Sequence, residues 1–232
     1  MTAAAGHCGW LVVVPVKRLL DAKSRLALPP LMRPRVARAM ALDTVSAAVG
    51  CPLVAQVWVV TDDEALAARP GEFGALGALL VPDALRAGLN AAIRHGVNVA
   101  WRSLGPMDGA AAGVVALTAD LPALQPAELA AVLGEVPGGA RAVVADAGAV
   151  GTTLLAATDY PLLQPAFGPD SYRRHVDGGA VDLTTAGGPG LRRDVDTLAD
   201  LQSARSVHLG RYTRELMIEV EPWLPHPGSG LP

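Results

Sequence analysis

The stretch WLVVVPV, Trp10 to Val16, runs directly into KRLLDAKSRL, Lys17 to Leu26. Five consecutive apolar residues before Pro15, three of them valine, read as a strand buried on both faces. A buried strand of this kind belongs to a parallel sheet. It delivers the following residues to the carboxyl edge of that sheet, where open α/β folds bind their ligands. Here those residues include four cations, Lys17, Arg18, Lys23 and Arg25. A cationic loop at that edge calls for a polyanion, and a nucleoside triphosphate suits it best.

Outward from this strand, the chain alternates strands and helices. Leu31 to Val49 carries apolar residues at helical spacing and is stopped by Gly50. Val54 to Thr61 (VAQVWVVT) is a second strand, ended by Asp62-Asp63. Ala78 to Val81 is a third, closed by Pro82-Asp83. Leu85 to Trp101 is a helix weakened by Gly88 and Gly96, and Val114 to Thr118 a fourth strand followed by Asp120. Pro126 to Leu133 opens a helix with Pro first and Glu128 in its first turn. Ala142 to Ala145 and Thr152 to Ala157 complete six strands. Pro169 to Val176 is a short helix, and Asp196 to Val207 a longer one capped by Asp196 or Thr197. This order predicts an α/β fold: a three-layer sandwich around a mostly parallel sheet, in one domain over residues 10–221. Residues 1–9 read as a loose leader and 222–232, rich in Pro and Gly, as a flexible tail.

Bulk composition narrows the function. The 232 residues are 51% hydrophobic and 18% charged, enough for a sizeable core. A net charge of −3 argues against a nucleic-acid partner, so any cationic site is local. Two cysteines, Cys8 and Cys51, make neither a disulfide framework nor a metal knuckle and suit the cytoplasm. No apolar run approaches the roughly 20 residues of a membrane helix, so no membrane partner is expected. The cationic loop is neither a P-loop nor a dinucleotide fingerprint, since it contains no glycine. There is no HExxH and no G-x-S-x-G elbow.

Further segments carry candidate chemistry. In Thr118-Ala119-Asp120-Leu121-Pro122, a carboxylate follows a buried strand, which suits a hard divalent cation, although Asp after a strand also caps turns. In Arg193-Asp194-Val195-Asp196-Thr197, two carboxylates stand just before a helix, and the reading takes Asp194 as ligand and Asp196 as cap; both being structural is the competing reading. Gly151-Thr152-Thr153 and Phe167-Gly168-Pro169-Asp170-Ser171 offer a modest anion nest for a second substrate, or simply a strand start and a capped helix. Gly88 admits close backbone approach and Asn90 offers a donor and an acceptor to a nucleoside; alone, both read as ordinary helix residues.

Taken together, V-P-V-K-x-L-x-x-A-K-S-R-L (Val14–Leu26), A-L-D-T-V (Ala41–Val45), G-L-N-A-A (Gly88–Ala92), A-D-L-P (Ala119–Pro122), G-T-T-L-L (Gly151–Leu155), F-G-x-x-S (Phe167–Ser171) and D-V-D-T (Asp194–Thr197) resemble the guanylyltransferases of coenzyme F-420 biosynthesis, which act on phosphoenolpyruvate or 2-phospho-L-lactate. The resemblance runs from about Trp10 to Val207. It implies a GT-A-like nucleotidyltransferase fold and an enzyme joining GTP to a phosphorylated three-carbon acid. It assigns Lys17, Lys23 and Arg25 to the GTP phosphates, and Gly88 and Asn90 to the nucleoside. Asp120 and Asp194 would hold Mg²⁺, with Asp196 as a third carboxylate. Thr153, Gly168 and Ser171 would hold the acceptor phosphate, with Thr152 an alternative to Thr153. A labile product would call for transient contact with the enzyme that consumes it. The alternatives are another nucleotidyltransferase of this fold, of the sugar-phosphate or molybdopterin type, a glycosyltransferase using a nucleotide sugar, and a non-catalytic nucleotide-binding protein.

Overall fold

The apolar run becomes β1 (Gly9–Val16), an interior strand of a seven-stranded sheet. A computed structural model of the chain describes residues 9–21, 23–68, 71–83, 86–103 and 111–224. In chain order, β1 is followed by α1 (Met32–Val49), β2 (Val54–Thr61), α2 (Glu64–Ala68), α3 (Gly71–Ala75), β3 (Leu79–Pro82), α4 (Leu89–Ser103) and β4 (Ala111–Leu117). Then come α5 (Pro126–Glu135), β5 (Arg141–Ala145), β6 (Thr152–Ala157), α6 (Ser171–Asp177), β7 (Val181–Asp182), α7 (Leu198–Val207) and α8 (Arg211–Val220). The strand order is β3-β2-β1-β4-β6-β5-β7. β1 pairs in parallel with both β2 and β4, and β6 alone runs antiparallel to its two neighbours. The reversal follows from the short β5–β6 connection, since only antiparallel strands can be joined by a tight turn.

Alternation along β1 builds two core layers. Val12, Val14 and Val16 face α1 and α5, packing with Ala41, Val45, Leu129 and Val132. Leu11 and Val13 face α4, packing with Ile93, Val97 and Ala100. Gly96 is what lets α4 lie this close. A Cβ there would stand 2.2 Å from Val60 Cγ2 and 2.8 Å from Val13 Cγ1. A third apolar cluster joins Leu26 and Leu28 of the cationic loop to α1, α7 and α8 through Met40, Leu201 and Met217. The predicted sandwich therefore carries an extra helical flank that clamps the base of that loop.

The differences from expectation have local causes. The helix expected from Leu85 starts at Leu89, because Gly88 before it has φ +92°. α6 begins at Ser171, after Asp170 in left-handed backbone. α7 begins at Leu198 with Thr197 as its cap. β7 is a two-residue exposed edge strand with almost no periodic signal. Gly9 belongs to β1, and Leu224, placed in the expected tail, is buried against the third cluster. Residues 1–8 and 225–232, which carry the rest of the expected leader and tail, lie outside the described residues.

Candidate active site

The cationic loop leaves β1 beside the end of β2, since Val16 is in register with Thr61. Two carboxylates then fix its course: Asp62 Oδ1 accepts from Arg18 N–H at 2.7 Å and Asp63 Oδ2 from Leu19 N–H at 3.1 Å. Lys23 takes up left-handed backbone, φ +56°, and Leu26 N–H bonds back to its carbonyl at 2.9 Å. This turn sends the Lys23 ammonium under the sheet edge, where it bonds Asp120 Oδ2 and, at 2.8 Å, Asp196 Oδ1. Arg25, largely exposed, stands 3.8 Å from the other oxygen of Asp196.

Three further contacts hold the acidic side. Val195 N–H donates to Asp120 O at 3.1 Å, pinning the Asp194–Asp196 segment to the loop after β4. Thr44 Oγ1 of α1 accepts from Leu121 N–H at 3.1 Å. Gly190 N–H donates to Glu128 Oε1 at 2.8 Å, and a Cβ at Gly190 would collide with Ala123 O at 2.2 Å. The expectation that Asp196 caps α7 is corrected. Thr197 is the cap, in a reciprocal box with Asp200, whose Oδ2 also accepts the Asp196 N–H. The Asp196 carboxylate is thereby released to Lys23. Asp194 joins the cluster electrostatically, through the charges of Asp120, Asp146 and Asp196.

The electrostatics are those of an acid cluster short of positive charge. Burial, then the charges of Asp120, Asp146 and Asp196, push the Asp194 carboxyl up to about 7. Asp196 goes the other way: burial opposes its charge, but Lys23, Arg25 and Lys17 hold it below the usual carboxylate range. Burial likewise disfavours the Lys23 charge, yet Asp120 and Asp196 outweigh it and keep the ammonium above its ordinary value. Asp120 Oδ1 is buried and has no hydrogen-bond partner among the described residues. Among the described residues no three His, Cys, Asp or Glu side chains form a ready metal cage, and the Lys23 ammonium bridges Asp120 and Asp196. A free oxygen on Asp120 and an acid at Asp194 awaiting a counter-charge nevertheless fit Mg²⁺, which uses one or two carboxylates and completes its shell with phosphate oxygens and water.

A cavity of about 250 Å³ opens beside Lys17. Its lining includes Arg18, Asp83, Arg86 and Gly88. Among the described residues, nothing lies within 4 Å of where a side chain at Gly88 would begin. Asn90 is not on this wall. Its amide is committed to Phe167: Nδ2–H donates to Phe167 O at 3.0 Å, and Oδ1 accepts from Phe167 N–H at 2.8 Å. Asn90 thus ties the start of α4 to the loop carrying Gly168.

The residues expected to receive a second anion lie around that loop and the strand β6. Thr153 O accepts from Thr118 N–H at 3.0 Å, which sets Thr153 beside the end of β4, two residues before Asp120. Its hydroxyl is 3.5 Å from Val144 O. Thr152 Oγ1 lies 2.9 Å from His175 Nδ1, while His175 Nε2 accepts from Ala166 N–H at 2.9 Å. An amide can only donate, so Nε2 is unprotonated and Nδ1–H donates to Thr152. Burial, then the charges of Arg141 and Arg174, lower the His175 pKa to about 4. Gly168, at φ +122°, and buried Ser171 stand at the start of α6, where Ser171 N–H donates to Gly168 O at 3.1 Å.

Sequence reasoning missed three supporting residues. Asp43 of α1 caps α8, accepting from Tyr212 and Thr213 N–H at 2.9 and 2.8 Å, and Gly210 N–H bonds Pro122 O at 2.7 Å. Asp43 and Thr44, adjacent in the A-L-D-T-V motif, thus brace α8 and the Asp120 loop together. Asp146 closes the β5–β6 turn by accepting from Val150 and Gly151 N–H at 2.9 and 2.7 Å. A Cβ at Gly151 would come within 2.4 Å of that carboxylate, which accounts for the glycine before the two threonines.

Comparison with known proteins places this geometry in context. Residues 10–181 match the family of CofC-like guanylyl transferases. The phosphoenolpyruvate guanylyltransferase of Salinispora arenicola is 49% identical over 208 residues, covering 88% of this chain and 91% of that protein. That of Thermomonospora curvata is 47% identical over 218 residues, covering 93% and 92%. Among solved structures, a nucleotidyl transferase from Methanothermobacter superposes with a TM-score of 0.54 at 17% identity, covering 85% of this chain and 96% of that one. A cytidylyltransferase from Leptospira borgpetersenii superposes at 0.52 and 13%, covering 92% and 93%. These two likenesses concern the fold, and they agree with a nucleotidyltransferase α/β sandwich.

Proposed function

The chain belongs to the family of CofC-like guanylyl transferases, and we propose that it is a Mg²⁺-dependent enzyme condensing GTP with phosphoenolpyruvate, in coenzyme F-420 biosynthesis. The observation that supports this best is the Lys23 ammonium bridging Asp120 and Asp196, on the same cationic loop whose Lys17 lines a cavity with Gly88.

The charges dictate the chemistry. A phosphate monoester is already anionic near neutral pH, so the acceptor needs no strong general base. Its phosphate oxygen attacks the α-phosphorus of GTP, forming one P–O bond as the bond to the β-phosphate oxygen breaks, and pyrophosphate leaves. The barrier to overcome is repulsion between two polyanions. Lys23 has three N–H donors, of which Asp120 and Asp196 take two, leaving one for a phosphate oxygen. Lys17 and Arg25, both exposed, add positive charge to the mouth of the site. Asp120 and Asp194 would hold the Mg²⁺, with Asp196 at its edge, and the metal would offset charge on the leaving pyrophosphate. Thr153, Gly168 and Ser171 would receive the acceptor phosphate. Asn90 acts one step back, holding the Phe167–Gly168 backbone in place. Thr152 is committed to His175, which favours Thr153 for the direct contact.

The Asp120→Asn variant tests this proposal. Pyrophosphate release from GTP is expected to vanish while circular dichroism and melting temperature stay near those of the parent. Normal turnover in that variant would overturn the metal assignment.

A further inference from the structure

We propose that Asp83 reads the guanine base. This deepens the guanylyl-transfer reading and rests on it.

Asp83 directly follows β3 and is only 6% exposed. Its own N–H donates to Thr61 O at 2.7 Å, so its backbone is fixed to the end of β2. It lines the cavity beside Lys17, together with Gly88 and Leu89 at the start of α4. Its Oδ1 is buried and has no hydrogen-bond partner among the described residues. A second carboxylate on the same wall, Asp62, differs in this respect, because its Oδ1 accepts the Arg18 N–H. Arg86, also on the wall, is paired at 2.5 Å with Glu64. An unpaired buried carboxylate oxygen is costly and is found where a donor is meant to arrive.

Guanine supplies the matching donors. Its N1–H and exocyclic N2–H lie side by side on one edge, and a carboxylate is acceptor-only with two oxygens to meet them. Adenine presents an unprotonated N1 there, and cytosine presents N3 and O2, so either would set lone pairs against a buried charge. Uracil offers one N–H only. Discrimination by leaving a buried charge unpaired with the wrong ligand is stronger than discrimination by shape. The cavity, at about 250 Å³, suits one base. Gly88, on the same lining, has open space where a side chain would begin among the described residues.

The test compares equilibrium binding of GTP, ITP and ATP, since ITP differs from GTP only in lacking the 2-amino group. The wild-type chain is expected to bind GTP about tenfold or more tightly than ITP, and ATP more weakly still. In Asp83→Ala the GTP-to-ITP ratio should fall close to one, with GTP affinity reduced. Asp83→Asn, nearly isosteric and safer for the fold, should move the preference toward ATP, because an amide offers adenine a donor and an acceptor. The proposal is overturned if the wild type binds ITP as well as GTP, or if either folded variant keeps the wild-type ratio. GTP-dependent pyrophosphate release by the wild type separates the two readings. Release with an unchanged ratio in the variants sinks the Asp83 assignment alone, whereas absence of both GTP binding and release overturns the guanylyl-transfer reading with it.

Discussion

Acid should weaken this protein through one buried imidazole. His175 is 2% exposed, and its ring is held neutral by accepting from Ala166 N–H and donating to Thr152. Its pKa falls from the ordinary 6.5 to about 4, with burial as the main cause and Arg141 and Arg174 adding to it. An unfolded chain therefore binds a proton at this residue that the folded chain refuses. The sign is fixed by linkage: the stabilisation is complete above pH 6.5 and is lost as pH falls toward 4. Over that whole window the loss amounts to about 3 kcal/mol, at about 1.4 kcal/mol per pH unit. Between pH 7.5 and 5 the share is about 2 kcal/mol. Urea unfolding of the wild type and of His175→Gln at both pH values measures it. The variant is expected to be less stable at pH 7.5 but to lose about 2 kcal/mol less than the wild type on going to pH 5. Equal losses in the two proteins would refute the assignment of a neutral, Nδ1-protonated His175.

Three further substitutions probe the supports of the site. Asp43→Ala strips two acceptors from the first turn of α8, and chemical denaturation should show a loss of about 2–4 kcal/mol. Gly96→Ala places a methyl group within 2.2 Å of Val60 Cγ2; calorimetry should record a destabilisation of about 1–3 kcal/mol, where alanine in an open helix would stabilise. Lys23→Met leaves Asp120 and Asp196 without their shared cation. Its pyrophosphate release should fall about 100-fold or more, and a rate within tenfold of the wild type would remove Lys23 from the catalytic set.

Much of the architecture was legible because it is written in local periodicity. β1, β2, β5 and β6 are dense apolar runs, and α1 and α5 carry their burial pattern and stop signals in sequence. What escaped depends on long-range contacts. α8 is amphipathic, but its start is fixed by Asp43, more than 160 residues earlier in the chain. Asp146 reads as a turn residue and joins the acid cluster only because β5 and β6 fold back beside β4. Asn90 has the donor and acceptor a nucleoside wants, yet the structure spends both on Phe167. The spacing of Asp196 allows a cap, and only the Thr197–Asp200 box, a matter of side-chain contact, decides otherwise. Asp83 passed as the close of a strand, since nothing in sequence tells a buried, unpaired carboxylate from a solvated one.

The most direct measurement is pyrophosphate release by the purified protein with GTP and Mg²⁺, comparing phosphoenolpyruvate, 2-phospho-L-lactate and no acceptor, with an enzyme that consumes a labile product supplied in parallel. Release that requires phosphoenolpyruvate is the predicted result. Release with no acceptor present, or none with any acceptor while GTP stays bound, would contradict guanylyl transfer to a three-carbon phosphate as the work of this site.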